Sequence, residues 1–135
     1  GSVREQVLDL LRDVQKETGL SIIFISHDLA VVRSISHRVL VMYMGRLVEL
    51  ADNASLFGSP KHPYTRALLD SVPVPDPVVA PKRAPLRGEV GSLVNPPPGC
   101  VFHPRCPIAA AICSNQAPTL VDHAGTRVAC HLVKG

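Results

Sequence analysis

Leu20-Ser21-Ile22-Ile23-Phe24-Ile25-Ser26-His27-Asp28-Leu29 is the stretch on which the fold of this chain turns. Residues 21–25 form a short apolar run with β-branched and aromatic members, the composition of a strand buried on both faces in a parallel sheet. The run breaks at Ser26-His27-Asp28, after which Leu29-Ala30-Val31-Val32-Arg33-Ser34-Ile35 follows helical spacing. A carboxylate at Asp28 suits the cap of that helix, because it accepts the orphan N–H groups of the first turn. His27 is thereby placed at the carboxyl end of a parallel strand, where α/β sheets present polar groups to ligands. A single loop histidine carries little specificity by itself, so its role depends on its surroundings.

Working outward, residues 3–17 place Val3, Val7, Leu10, Leu11 and Val14 on one helical face, with Arg4, Glu5, Asp9, Arg12 and Lys16 on the other. Gly19 supplies the left-handed residue that ends such a helix. Helix, tight turn and buried strand together make an α/β unit. Beyond the second helix, residues 36–44 predict another apolar strand, Gly45-Arg46 a turn, and residues 47–50 the returning strand of a hairpin. Residues 52–57 predict a short helix capped by Asp52 or Asn53. Residues 62–69 predict a further helix with Pro63 in its first turn, where a missing N–H is harmless.

The chain has 135 residues, 46% of them hydrophobic, with a formal net charge of +3. That length supports one modest core, or a small core with an appendage. The positive charge is dispersed, with no dense Lys/Arg run and few aromatics, which argues against nucleic acid as a partner. No apolar run reaches the ~18–20 residues of a membrane span, and no secretory signal is present, so a soluble cytoplasmic setting is the expectation. All 13 prolines lie at or after Pro60. Regular elements are therefore expected before that point and repeated interruption after it, with a boundary that divides residues 1–58 from residues 59–135. Residues 72–85 alternate proline with small apolar residues and predict an extended spacer. Residues 95–134 hold all four cysteines and too little apolar material for a large core, so a covalent or metal staple is expected there.

Several of these pieces together resemble the carboxy-terminal part of ATP-binding-cassette ATPase subunits from oligopeptide/dipeptide (and nickel) importers. Ile25-Ser26-His27-Asp28-Leu29 is similar to the family's switch-histidine loop. Val41-Met42-Tyr43-Met44-Gly45-Arg46-Leu47-Val48-Glu49 resembles the strands that follow it. Pro60-Lys61-His62-Pro63-Tyr64 resembles the family's His-Pro-Tyr signature. Asn95-Pro96-Pro97-Pro98-Gly99-Cys100, continuing through Cys106, Cys113 and Cys130, resembles its cysteine-bearing extension.

The resemblance implies an α/β fold: the end of a nucleotide-binding core over residues 1–58, then an irregular Pro/Cys-rich extension with little regular structure over residues 59–135. It implies a parent protein that uses ATP and magnesium to drive import of short peptides through membrane permease subunits. That parent pairs with a second ATPase subunit and sits at the cytoplasmic face of the membrane. His27 then corresponds to the histidine that reaches the γ-phosphate of ATP, a positioned donor for charge developing on the transferred group. No Gly-x-x-x-x-Gly-Lys-Ser/Thr phosphate loop occurs in the chain. Taken as a carboxy-terminal fragment, the chain alone is expected not to hydrolyse ATP.

The cysteine spacings are Cys-x5-Cys, Cys-x6-Cys and Cys-x16-Cys, unlike a zinc ribbon or a bacterial ferredoxin run. A cytosolic setting disfavours structural disulfides, and four thiols without a catalytic partner favour metal. The resemblance implies a 4Fe–4S cluster on Cys100, Cys106, Cys113 and Cys130, with zinc second and unligated thiols or adventitious disulfides as the remaining alternative. His103, His123 and His131 flank the cysteines as candidate substitute ligands, whereas His62 and Tyr64 suit local packing and hydrogen bonding. A different class of reading is a stand-alone cysteine-rich metal-binding or interaction module, distinguished by whether a phosphate loop lies upstream. The resemblance implies that some sheet neighbours of residues 21–25 lie outside this sequence, so the isolated chain is expected to dimerise through Val7, Leu11, Ile23 or Phe24.

Overall fold

The computed structural model describes residues 2–72, 86, 88 and 91–133. They form two compact units, Gly1–His37 and Arg38–Gly135.

In the first unit, α1 spans Val3–Thr18 and α2 spans Leu29–Ile35. Ser2 and Glu5 close a reciprocal cap: Ser2 Oγ accepts from Glu5 N at 3.2 Å and Glu5 Oε2 from Ser2 N at 3.3 Å. Gly19 ends α1 at φ 68°, donating its N–H to Gln15. Leu8 and Val31 are the buried apolar residues of these helices. The strand expected at residues 21–25 does not form; this segment has no ladder partner among the described residues. Ile23 and Ile25 are each 92% exposed. A strand buried on both faces needs sheet neighbours on both edges. The one sheet described lies entirely in the other unit. The chain is thus mixed α/β, with an antiparallel sheet in place of the expected parallel one.

The second unit is built on a four-stranded sheet of order β1-β2-β4-β3, with every pair antiparallel. The strands are β1 Arg38–Tyr43, β2 Arg46–Asp52, β3 Val121–His123 and β4 Thr126–Val128. Val39, Val41 and Tyr43 alternate inward along β1. A register shift between Val41 and Met42 lets adjacent Val48 and Glu49 on β2 both be buried. The hairpin turn is Met44-Gly45, at φ 48° and 73°, one residue earlier than the expected Gly45-Arg46. Both values are positive, as a two-residue turn matched to strand twist requires.

Helix α3, Asn53–Gly58, is capped by Asp52, whose Oδ1 accepts from Ser55 N at 2.7 Å. Helix α4, Pro63–Asp70, starts with proline as expected. The expected spacer at residues 72–85 lies, apart from Val72, outside the described residues. The expectation of little regular structure after residue 59 needs correction. Besides α4, the region holds 3₁₀ turns at His103–Arg105 and Ala111–Ser114 and the β3–β4 hairpin, and β4 joins the sheet against β2. The proline-marked division at residue 58 falls inside this second unit. Three-residue strands carry too little alternation to be seen in sequence, and only pairing with β2 makes β4 a strand. Phe102, Leu56 and Val128 are fully buried and anchor the core.

Candidate functional site

His27 lies in the first unit, exposed at the bend between the extended segment and α2. Its neighbours fix that bend. Asp28 N donates to Ser26 Oγ at 3.0 Å, and Asp28 Oδ1 accepts from Ala30 N at 3.1 Å and Val31 N at 3.3 Å. Asp28 Oδ2 pairs with Arg4 Nη2 at 2.6 Å, tying the bend to the first turn of α1. Asp28 caps α2 as the sequence predicts, and the ion pair adds a restraint that sequence alone does not reveal. The result presents the His27 imidazole outward from a braced turn, a placement suited to donating a hydrogen bond to an anionic group.

The second unit holds a polar network that sequence reasoning missed. Glu49 is fully buried in β2. Its carboxylate accepts from His62 N at 2.8 Å and from Lys61 N at 3.0 and 3.2 Å. His62 Nδ1 accepts from Tyr64 N at 3.0 Å and so caps α4. Burial pushes the His62 pKa down to about 4, and a hydrogen bond to the Ala129 backbone pulls the other way. The ring is therefore neutral near pH 7 and joins the start of α4 to the residue before Cys130. Phe102 packs against His62, Tyr43 and Tyr64 at centroid distances of 5.9, 5.2 and 5.5 Å. Burial raises the Tyr64 pKa, and the Tyr43 phenol adds to the rise while Arg105 opposes it. His62 and Tyr64 are thus structural, in line with the sequence expectation. A lone Glu in an otherwise apolar strand was the signal available for Glu49.

Cys100, Cys106 and Cys130 are half-buried, Cys113 is buried, and all four are free thiols. The Cys100 and Cys113 segments touch through their backbones, with Cys100 N donating to Cys113 O at 2.7 Å. Gly99, at φ 71°, permits this approach: a Cβ there would lie 2.4 Å from Cys113 O. Ala110 N donates to Cys113 Sγ at 3.5 Å. Burial pushes the Cys100 thiol up, the Phe102 and His103 amides hold it down, and Cys113 and then Cys130 push it further up. Burial also raises Cys106, where Cys130 is the thiol that acts most strongly and the Ile108 amide opposes. The four thiols are electrostatic neighbours.

They do not converge on one ion. Among the described residues, no group of three or more His, Cys, Asp or Glu is placed to hold a metal ion. Neither the expected common ligand point nor an expected disulfide pair is formed. The donor chemistry suits a metal, but the spacing of the donors does not. His103 Nδ1 lies 2.8 Å from Cys100 O and His131 Nε2 lies 2.7 Å from Gln116 O, so each has a ring nitrogen engaged by a backbone carbonyl.

Residues 48–113 match the family described as the oligopeptide/dipeptide transporter, C-terminal region. A probable peptide ABC transporter ATP-binding protein, y4tS of Sinorhizobium fredii, is 58% identical over 132 residues, 97% of this chain and 37% of that protein. The oligopeptide transport ATP-binding protein OppF of Escherichia coli is 50% identical over 131 residues, 96% of this chain and 39% of its own length. The chain therefore spans well under half the length of these relatives.

Proposed function

The chain belongs to the peptide ABC transporter ATP-binding family, whose C-terminal region it carries, and on that premise we propose that it is part of an ATPase subunit that couples ATP hydrolysis to import of short peptides. The observation that carries this proposal is similarity along nearly the whole chain, 97% of it at 58% identity. Nickel is the alternative cargo. The partners proposed for the parent are membrane permease subunits and a second ATPase subunit, with the protein peripheral at the cytoplasmic face. Among the described residues no helix is long and apolar enough to cross a membrane.

His27 is proposed as the residue that contacts the γ-phosphate of ATP bound with magnesium by the rest of the parent. An imidazole N–H donates to the oxygen where negative charge develops, and stabilisation is greatest in the transition state. Asp28 and Arg4 act through geometry by holding the bend beneath His27. In the full-length transporter, His27→Ala should lower ATP turnover by about 10²-fold or more while nucleotide affinity changes little. Peptide-stimulated ATPase activity in reconstituted vesicles measures it, and unchanged turnover would remove His27 from the chemistry. The chain alone should show no saturable magnesium-dependent ATP binding in calorimetry, because it lacks the phosphate loop.

Cys100, Cys106, Cys113 and Cys130 enter the same proposal as ligands of an iron–sulfur cluster in the parent, with zinc as the second choice. Four free thiols, three of them (Cys100, Cys106 and Cys113) facing backbone amides, support that assignment. The thiols would have to draw together to bind. Iron, sulfide and zinc analysis of full-length protein prepared without oxygen tests it, and absence of all three would remove the metal.

A further inference from the structure

We propose that, in the metal-free chain, Cys100 and Cys113 form a reversible disulfide by exchange with a small anionic disulfide that enters the groove beside Cys100. Two features carry it. First, the direct Cys100 N to Cys113 O hydrogen bond of 2.7 Å fixes the two backbones side by side. Bond lengths and that one hydrogen bond hold the two Cα atoms within about 6.6 Å of each other, inside the ~4.4–6.8 Å that a disulfide accepts. The contact is tight, because Gly99 lies against Cys113 O where any Cβ would clash. Second, access is unequal. Cys100 lines a half-open groove of about 430 Å³, whereas Cys113 is buried and does not line it. Arg46 is the charged residue in that groove's lining, and Pro96, Pro97 and Pro98 form much of the rest. An anionic small molecule with an apolar body complements those walls.

The chemistry follows from this asymmetry. The Cys100 thiolate attacks one sulfur of the small disulfide; an S–S bond forms to Cys100 and the other half departs as a thiolate. The Cys113 thiolate then attacks Cys100 Sγ, forming the Cys100–Cys113 bond and releasing the second half. The two protein thiols lose two electrons and two protons, and the small disulfide gains them as two thiols.

The test uses the full chain, reduced, treated with a chelator and then exposed to oxidised glutathione. Tryptic digestion without reductant should link the peptide that ends at Arg105 to the peptide 106–127. Cys106 and Cys113 share the second peptide, so the assignment is made with Cys106→Ser, in which the same link should persist. Cys113→Ser should instead accumulate the glutathione adduct on Cys100. Arg46→Glu should slow the reaction about threefold or more at low salt with oxidised glutathione, but not with neutral 2-hydroxyethyl disulfide. Loss of the link in Cys106→Ser, a wild-type reaction that stops at the mixed disulfide, or a Cys106–Cys130 link alone would overturn the pairing. Equal rates for both oxidants in wild type and Arg46→Glu would overturn entry through the groove.

Discussion

At the scale of single residues, Glu49 and His62 set the second unit. Glu49 takes up two backbone N–H groups that precede α4, and burial leaves no water to replace it. Glu49→Ala should therefore destabilise the chain by about 3 kcal/mol, as the buried His62 N–H and the half-buried Lys61 N–H lose their acceptor. Urea unfolding would show it, and a change within about 0.5 kcal/mol would mean that the amides find another partner. His62 gives a pH signature. Its folded pKa of about 4 is below the ordinary 6.5, so the unfolded chain binds the additional proton. The associated stability is complete above pH 6.5 and is lost as the pH falls from 6.5 toward 4, by up to about 3 kcal/mol. His62→Asn, whose Oδ1 can still accept from Tyr64 N, should flatten that part of the stability curve. An equally steep loss in the variant would assign the dependence to another group. Little of this was legible beforehand. Strict alternation along β2 would expose one of Val48 and Glu49, and only the register shift that leaves Val48 as the extra residue on β2 accounts for both being buried.

At the scale of elements, legibility followed locality. Asp28, Asp52 and Pro63 are short-range signals, and each begins a helix where expected. Residues 21–25 failed because a buried strand is a statement about neighbours, which a local apolar run cannot supply. β4 was missed for the converse reason, being three residues long and defined by its partner. The geometry of the cysteine segment was not legible, since the approach of Cys100 to Cys113 depends on the Gly99 contact rather than on spacing. Both hairpin turns place a non-glycine residue in the left-handed region, Met44 at φ 48° and Ala124 at φ 55°. A Cβ there costs about 1 kcal/mol. Ala124→Gly and Met44→Asn should each raise stability by about 0.5–1 kcal/mol, read as a higher melting temperature. A lower one would show that the native side chain makes a contact worth more than the strain.

At the scale of the whole molecule, the first unit leaves much apolar surface uncovered. Val7 is 50% exposed, Ile23 92% and Phe24 37%, while Leu11 is half-buried. Uncovered apolar side chains beside an unpaired extended segment favour association with a second copy. The isolated chain is expected to dimerise at high micromolar concentration, and Ile23→Asp with Phe24→Ser should return it to a monomer in light scattering. A wild-type monomer under those conditions would refute the expectation.

The placement of β4 has a consequence for synthesis. β2 meets β1 across a two-residue turn, but Glu49 pairs with Val128, about eighty residues further along the chain. A ribosome adding about 5–20 residues per second takes on the order of 4–16 s over that interval. Throughout it, one edge of β2 stays open and the hairpin is a two-stranded ribbon, marginal in water. A nascent chain arrested soon after Cys113 should therefore be cut by protease within residues 38–52, where the released chain resists.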